Sequence, residues 1–366
     1  MTLLFCFRLE RVFGGSPFQP FLFRLQMEVV SVFCLSGVSA IEFWRHYDSR
    51  IPGTCVFGHT LGAGPTYAEA FPSSHFRSLR RTSALDVDRD ILASLDRERF
   101  GLSDVGPIHL LVERDCRRKL KGDLVVHTVS CELPAGSILI VENGMCVASP
   151  ELAILQVSSS FSELDLLLLI YEFCGCYSLG GFSADLLMRH PLTSVEALSR
   201  MLSQGRNLKC SSKLQKVLAF AMNGSGSPRE TAVALLMHLP KRYGGFGLPR
   251  SELNLSVDLG KEGAALWGKR NAFDMVWREA RIVVEYDGRE AHSSEAQRDR
   301  DNARRNAAAA QGYAVYVLTE ERLRSVDHVC VIAAAIAKRL GFRLVFQRGD
   351  FWERHMKLRT ALRLSK

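Results

Sequence analysis

The sequence predicts an α/β protein whose last third interleaves strands and helices. Three observations predict it. Beyond residue 225, runs rich in β-branched residues alternate with runs that have apolar residues at helical spacing. Residues 151–223 carry helix-spaced apolar residues with few strand signals. Residues 28–150 mix short apolar strands with basic connections, as an α+β accessory domain does. With 366 residues, 47% hydrophobic and 23% charged, the chain is long enough for two or three domains with cores of their own.

Composition bounds the function classes. A formal net charge of +8 suits a polyanionic partner without requiring one. The ten cysteines form no C-x2-C pair, which argues against a zinc site or a disulfide framework. They read as reduced, mostly buried thiols of a cytoplasmic protein. The apolar stretch from Val29 to Ile41 is too short to span a bilayer, so no membrane partner is expected. Residues 1–27 are Phe-rich, broken by Arg8, Glu10 and Arg11, and lack a signal-peptide core. They read as an upstream extension of the reading frame, with Met27 the natural start, or as a disordered segment.

In residues 28–150, strands are expected at Ile108–Val112, Leu124–Val129 and Ser137–Val141. A basic cluster of Arg114, Arg117, Arg118, Lys119 and Lys121 falls on the turn between the first two, and Arg77, Arg80 and Arg81 form another. Either is a nucleic-acid contact or simply a solvated surface. Helices are expected at Glu151–Ser158, Glu163–Cys174 and Ser194–Leu202, and Asn223-Gly-Ser-Gly-Ser227 reads as a linker.

The C-terminal domain, residues 225–345, opens with Ser227-Pro-Arg-Glu230, a capping box that starts a helix stopped by Pro240. Strands follow at Asn254–Leu259, Ala272–Trp277 and Arg281–Asp287, the last ended by Gly288. Its run of β-branched residues marks a central strand covered on both faces. Strand alternation then points Val283, Glu285 and Asp287 to one face and Ile282, Val284 and Tyr286 to the other. Two carboxylates on one face of a buried strand need compensation, either from a divalent cation shared with Asp274 or from an arginine. An Arg-rich helix ending at Gly312, a strand at Tyr313–Leu318 and a helix at Val326–Leu340 complete the domain, and residues 346–366 read as a basic tail. Asp301 with Arg304 or Arg305 fits ordinary pairing within that helix.

The order of Glu230, Phe273-Asp274, Val283-Val-Glu-Tyr-Asp-Gly288, His292, Asp301 with Arg304-Arg305, and Gly312-Tyr-Ala-Val-Tyr-Val317 resembles the domain of unknown function 559. That domain is related to the very short patch repair endonuclease within the restriction-endonuclease-like, PD-(D/E)xK, superfamily. The resemblance covers roughly the last third of the chain and implies a mixed sheet flanked by helices, a Mg²⁺ (or Mn²⁺) site and cleavage of DNA. It casts Asp274 as the metal-binding aspartate, Glu285 as the acidic residue of the (D/E)xK element and Glu230 as the first helix's glutamate. Asp287 and His292 fall where repair-endonuclease relatives carry two histidines. Phe273 stands where the superfamily motif has proline, and Asp287 stands where it has lysine. Ser39-Ala-Ile-Glu42, the strand pair with basic residues between, and Val147-Ala-Ser-Pro150 before a leucine-rich helix resemble AbiEi-type antitoxins, which carry a small winged-helix module.

The resemblance therefore implies a metal-dependent DNA endonuclease. Glu230, Asp274, Glu285, Asp287 and His292 would form its catalytic set, with Asp274, Glu285 and Asp287 on the metal. Arg117, Arg118, Arg304 and Arg305 would grip the DNA backbone. The alternative is a non-catalytic DNA-binding or antitoxin-like regulator with a degenerate nuclease fold, in which Glu230 is a helix cap and Glu285 an ion-pair partner. A homodimer or a toxin/antitoxin-type partner suits either.

Overall fold

A computed structural model describes residues 33–47, 95–113, 124–129, 133–134, 136–140, 145–180, 187–205, 211–261, 272–288, 295–345 and 350–365. Residues 1–27, the basic clusters with Arg117 and Arg118, and His292 lie outside the described residues. The chain is a mixed α/β protein, with two mixed sheets and a two-stranded hairpin among the described residues. No helix among the described residues is long and apolar enough to cross a membrane.

The front sheet is five-stranded: β1 (Phe33–Leu35), β2 (Ile108–Glu113), β3 (Leu124–Val129), β4 (Ile138–Ile140) and β5 (Met145–Ala148), in the order β3-β2-β1-β5-β4. The expected strands are present, but β2 and β3 run parallel, Ile108 opposite Leu124. The two strands are therefore not the arms of a tight hairpin, which only antiparallel strands form, and the basic cluster expected on a turn between them lies outside the described residues. Helix α1 (Gly37–His46) packs its Ala40, Ile41, Phe43 and Trp44 into the core, with Trp44 Nε1 donating to Ala148 O at 2.8 Å.

The helical segment holds α2 (Pro150–Val157), α3 (Glu163–Phe173), the short hairpin β6 (Tyr177–Ser178) and β7 (Leu187–Met188), α4 (Val195–Gln204) and α5 (Ser211–Leu218). Ser149, Ser162 and Ser194 cap α2, α3 and α4, each hydroxyl accepting a first-turn N–H that would otherwise be unsatisfied. The segment read as a linker is not free. Ser225 is fully buried, its carbonyl accepts the Cys176 N–H at 2.7 Å, and Gly224 N donates to Cys174 O at 2.9 Å. A Cβ on Gly175 would stand 2.6 Å from that Ser225 carbonyl, so glycine permits the approach.

The C-terminal unit runs α6 (Pro228–His238), β8 (Glu252–Ser256), β9 (Ala272–Trp277), β10 (Ile282–Asp287), α7 (Glu295–Ala310) and β11 (Ala314–Thr319). Helices α8 (Glu320–Arg324), α9 (Val326–Arg339) and α10 (Asp350–Ala361) follow. The sheet order is β11-β10-β9-β8, antiparallel except for β10 and β11, which are parallel across the α7 crossover. On one face Ile282, Val284, Met275 and Trp277 join the main core, against which α6 packs. On the other, Val283, Val276 and Phe273 form a smaller core with Ala308 of α7. The sheet is thus flanked by helices on both faces.

Two expectations are corrected. Strand β8 begins two residues earlier than the alternation implied. Residues 346–366 are not simply a basic tail, because α10 buries Phe351, His355 and Leu358. Charges spaced along one side of a helix concealed the apolar side that docks it, where His355 Nδ1 bonds Gly244 O at 2.7 Å.

Candidate functional site

The site lies at the carboxyl end of β10, where α6, α7 and α8 meet the sheet. Helix α6 starts as the capping box requires: Ser227 Oγ accepts the Glu230 N–H at 3.2 Å. The Glu230 carboxylate reaches one residue beyond the cap, accepting the Gly226 N–H at 2.8 Å. It also accepts the Asn254 amide at 2.9 Å, and that same amide donates to Gly224 O at 2.6 Å.

Asn254 sits in the left-handed region (φ 48°) and reverses the pleat of β8. Leu253 and Leu255, two residues apart, accordingly face opposite cores, as do their partners Met275 and Phe273 on β9. Asp274 lies at that reversal. Regular pairing of β9 with β10 ends at Met275 opposite Val284, and Asp274 Oδ2 accepts the Tyr286 N–H at 2.6 Å. A side chain thus replaces a ladder bond.

Glu285 and Asp287 share a face of β10, as alternation requires, and α7 covers that face. Glu285 is 3% exposed. Its two oxygens are taken by Arg304 Nη2 and, at 2.6 Å, by Arg305 Nε. Arg305 Nη2 continues to Asp287 Oδ2 at 2.8 Å. Burial works against the Arg305 charge, but hydrogen bonds to Glu285 and Asp287 outweigh it and hold the guanidinium above its ordinary range. On the opposite face, Tyr286 Oη donates to Glu320 Oε2 at 2.7 Å, and Glu320 pairs with Arg229 and Arg324, each at 2.7 Å.

Asp274 is held well above the usual carboxylate range. Burial is the main cause and the Glu230 carboxylate the next, with Glu285 adding to them while the Tyr286 N–H and Arg304 oppose. Glu230, Asp274 and Glu285, from three elements, therefore interact, although Glu285 is already compensated. Arg304 and Arg305, expected to grip a DNA backbone, pair with the buried Glu285 and the half-buried Asp287 on β10, which demand counter-charge. Of the catalytic set, Glu230, Asp274, Glu285 and Asp287 are brought to one end of the sheet.

The donor set suits a hard cation in kind, since every candidate is a carboxylate oxygen. Among the described residues no group of three His, Cys, Asp or Glu is arranged to hold a metal. Glu230 and Asp274 make no hydrogen bond to a guanidinium among the described residues, although Arg304 acts on Asp274 through its charge, and they are the pair that could hold a divalent ion. Glu285 and Asp287 join them only if Arg305 moves.

Asn254 and the Tyr286–Glu320 pair were not anticipated from the sequence. An asparagine inside a strand was a usable signal, being disfavoured there yet tolerant of the left-handed region. Compared with family models, curated proteins and solved structures, the chain matches none of them.

Proposed function

We propose that the C-terminal unit is a restriction-endonuclease-like domain that hydrolyses DNA phosphodiester bonds with the help of Mg²⁺ or Mn²⁺. The observation that carries this reading is the meeting of Glu230 and Asp274 inside the sheet end. Asp274 is driven toward its neutral form there, an arrangement that a bound cation would relieve. The chemistry such an ion supplies is polarisation of a phosphate oxygen, a lowered pKa for bound water and charge for the leaving oxygen.

Glu230 and Asp274 would hold the ion, with Asn254 and Gly226 fixing the Glu230 carboxylate and the Tyr286 N–H fixing Asp274. Arg304 and Arg305 balance Glu285 and Asp287, which lessens the repulsion that four carboxylates would present to a phosphate. The guanidiniums keep their charge at any working pH, so they stabilise negative charge and do not accept a proton.

A second reading, a DNA-binding or antitoxin-like regulator with an inactive nuclease fold, is favoured by the arginine pairing of Glu285 and Asp287. On that reading Glu230 is a helix cap and the acidic cluster a structural ion-pair network.

Plasmid nicking separates the two. Purified protein with Mg²⁺ or Mn²⁺ is expected to convert supercoiled plasmid to open circles, and EDTA is expected to abolish the reaction. Asp274→Ala should slow it by about a hundredfold or more while sparing DNA binding. Cleavage that survives in Asp274→Ala would reject the site. A folded, DNA-binding protein that cleaves nothing would leave the regulator.

A further inference from the structure

We propose that His355 is an acid-sensitive latch for α10: neutral, it holds the helix against Gly244, and on protonation the helix is released. The latch stands whichever function the C-terminal unit serves. His355 is 0% exposed and Arg359, one turn further along α10, is 1% exposed. His355 Nδ1 lies 2.7 Å from Gly244 O, so that nitrogen carries the hydrogen and donates it. Glycine permits the approach, since at φ 90° a Cβ on Gly244 would stand 2.4 Å from Arg354 O. Nε2 is left with the lone pair of a neutral imidazole, buried and without a hydrogen-bond partner. A second proton would settle there, adding a charge and an N–H that find no acceptor among the described residues.

The groups nearby do not offset that charge. Arg359 already carries one, its Nη2 donating to Leu323 O and Arg324 O at 3.0 and 2.7 Å, while its Nε and Nη1 are buried without partners. Cys330 of α9 acts on Arg359, but burial holds its thiol up at about 11, so it is uncharged at neutral pH. The 3-10 turn Lys241–Tyr243 before Gly244 carries Lys241, bonded to Val345 O, and Arg242, stacked over Phe220 and Tyr243. On α10 itself Asp350 and Glu353 are paired with Arg354 and Lys357, at 3.3 and 2.6 Å. Phe246, Phe351 and Trp352 surround His355 at ring-centroid distances of 5.2, 5.6 and 5.8 Å. Ring faces attract a cation only weakly compared with what burying an unpaired charge costs.

Burial lowers the affinity of His355 for a proton, the Gly244 carbonyl raises it and the Arg359 charge lowers it again. The docked helix therefore binds this proton more weakly than the released one, in which histidine titrates near about 6.5. Docking is strongest above that pH and weakens as pH falls through it. Release also frees the last carbonyls of α8 from Arg359. It reaches Arg229 as well, whose Nη1 holds Leu362 O and Arg363 O at 3.4 and 3.3 Å while Nη2 pairs with Glu320. The end of α10 is thus tied to the Tyr286–Glu320 pair beside β10.

Hydrogen–deuterium exchange in wild type and His355→Gln tests the latch at about pH 7.5 and about pH 5, each rate being divided by the intrinsic rate at that pH. Glutamine keeps an N–H for Gly244 O and does not titrate. From the higher pH to the lower, opening of α10 in wild type should rise at least about tenfold more than in His355→Gln. At the lower pH wild-type α10 should also open at least about tenfold more often than β9 and β10. Release of one helix requires that difference, and unfolding of the whole molecule does not give it.

Equal rises in the two proteins overturn the proposal. So does a wild type in which α10 and the sheet open to the same extent at about pH 5. If His355→Gln fails to fold, His355→Phe, which fills the ring's place beside Phe246 and Phe351, carries the same comparison.

Discussion

Burial and the Glu230 carboxylate push Asp274 in the same direction, toward the uncharged acid, and Glu285 adds to them. In an unfolded chain an aspartate titrates near about 3.9. The folded chain therefore binds the more protons over the interval above that value, so stability attributable to this residue falls as pH rises through it. Asp274→Asn keeps an oxygen for the Tyr286 N–H while removing the titration. In EDTA the urea resistance of wild type relative to Asp274→Asn should fall as pH rises above about 3.9, the histidine contributions being common to both proteins. Mg²⁺ should narrow the difference by favouring the charged wild-type carboxylate. If the two proteins show parallel pH profiles, Asp274 is ionised in the fold and the case for a cation on it weakens.

At the scale of the element, β8 works as a strand with a deliberate fault. Asn254 in the left-handed region turns Leu255 to the opposite core from Leu253, and its amide then meets Glu230 and the carbonyl of Gly224. Asn254→Gly tolerates the conformation and forfeits the hydrogen bonds, at a cost of about 1 kcal/mol. Asn254→Ala adds the left-handed penalty and should cost about 2 kcal/mol or somewhat more. Urea denaturation of the pair checks this, and equal losses would show that hydrogen bonding alone matters at the position. A drop in metal-dependent nicking larger than either stability loss explains would tie the fault in β8 to the placing of Glu230.

For the whole molecule, the helical segment and the C-terminal sheet share one core. Tyr177 Oη bonds Thr231 Oγ1 at 3.0 Å, the Ser225 hydroxyl bonds the same atom at 2.7 Å, and Leu214, Leu235 and Val284 belong to a single apolar cluster. The front sheet joins through Arg45, which holds the fully buried Glu172 carboxylate in a two-pronged pair at 2.9 and 2.7 Å. Parts connected this way should unfold together. Variants that keep only Trp44, in the front core, or only Trp277, in the C-terminal sheet, should show coincident urea midpoints by fluorescence. Separate midpoints would return residues 223–227 to the status of a linker between independent domains.

Local rules made much of this chain legible from its sequence. The serine caps, the three β-branched residues of Ile282–Val284 and the period-two placement of Glu285 and Asp287 each depend on a few neighbouring residues. Strands β2, β3, β9, β10 and β11 and helices α2, α3, α4, α6 and α9 could therefore be expected nearly where they stand. What neutralises Glu285 and Asp287 was open in the sequence, since a cation and an arginine satisfy the same electrostatic demand. Tertiary structure supplies the arginines: α7 crosses back over β10 and delivers Arg304 and Arg305, residues 19 and 20 positions away from Glu285. The same holds for the parallel pairing of β2 with β3, the burial of Ser225 and Gly226 and the docking of α10. Each is settled by partners distant in the chain, and the pattern within a segment records which face is apolar but not what will cover it.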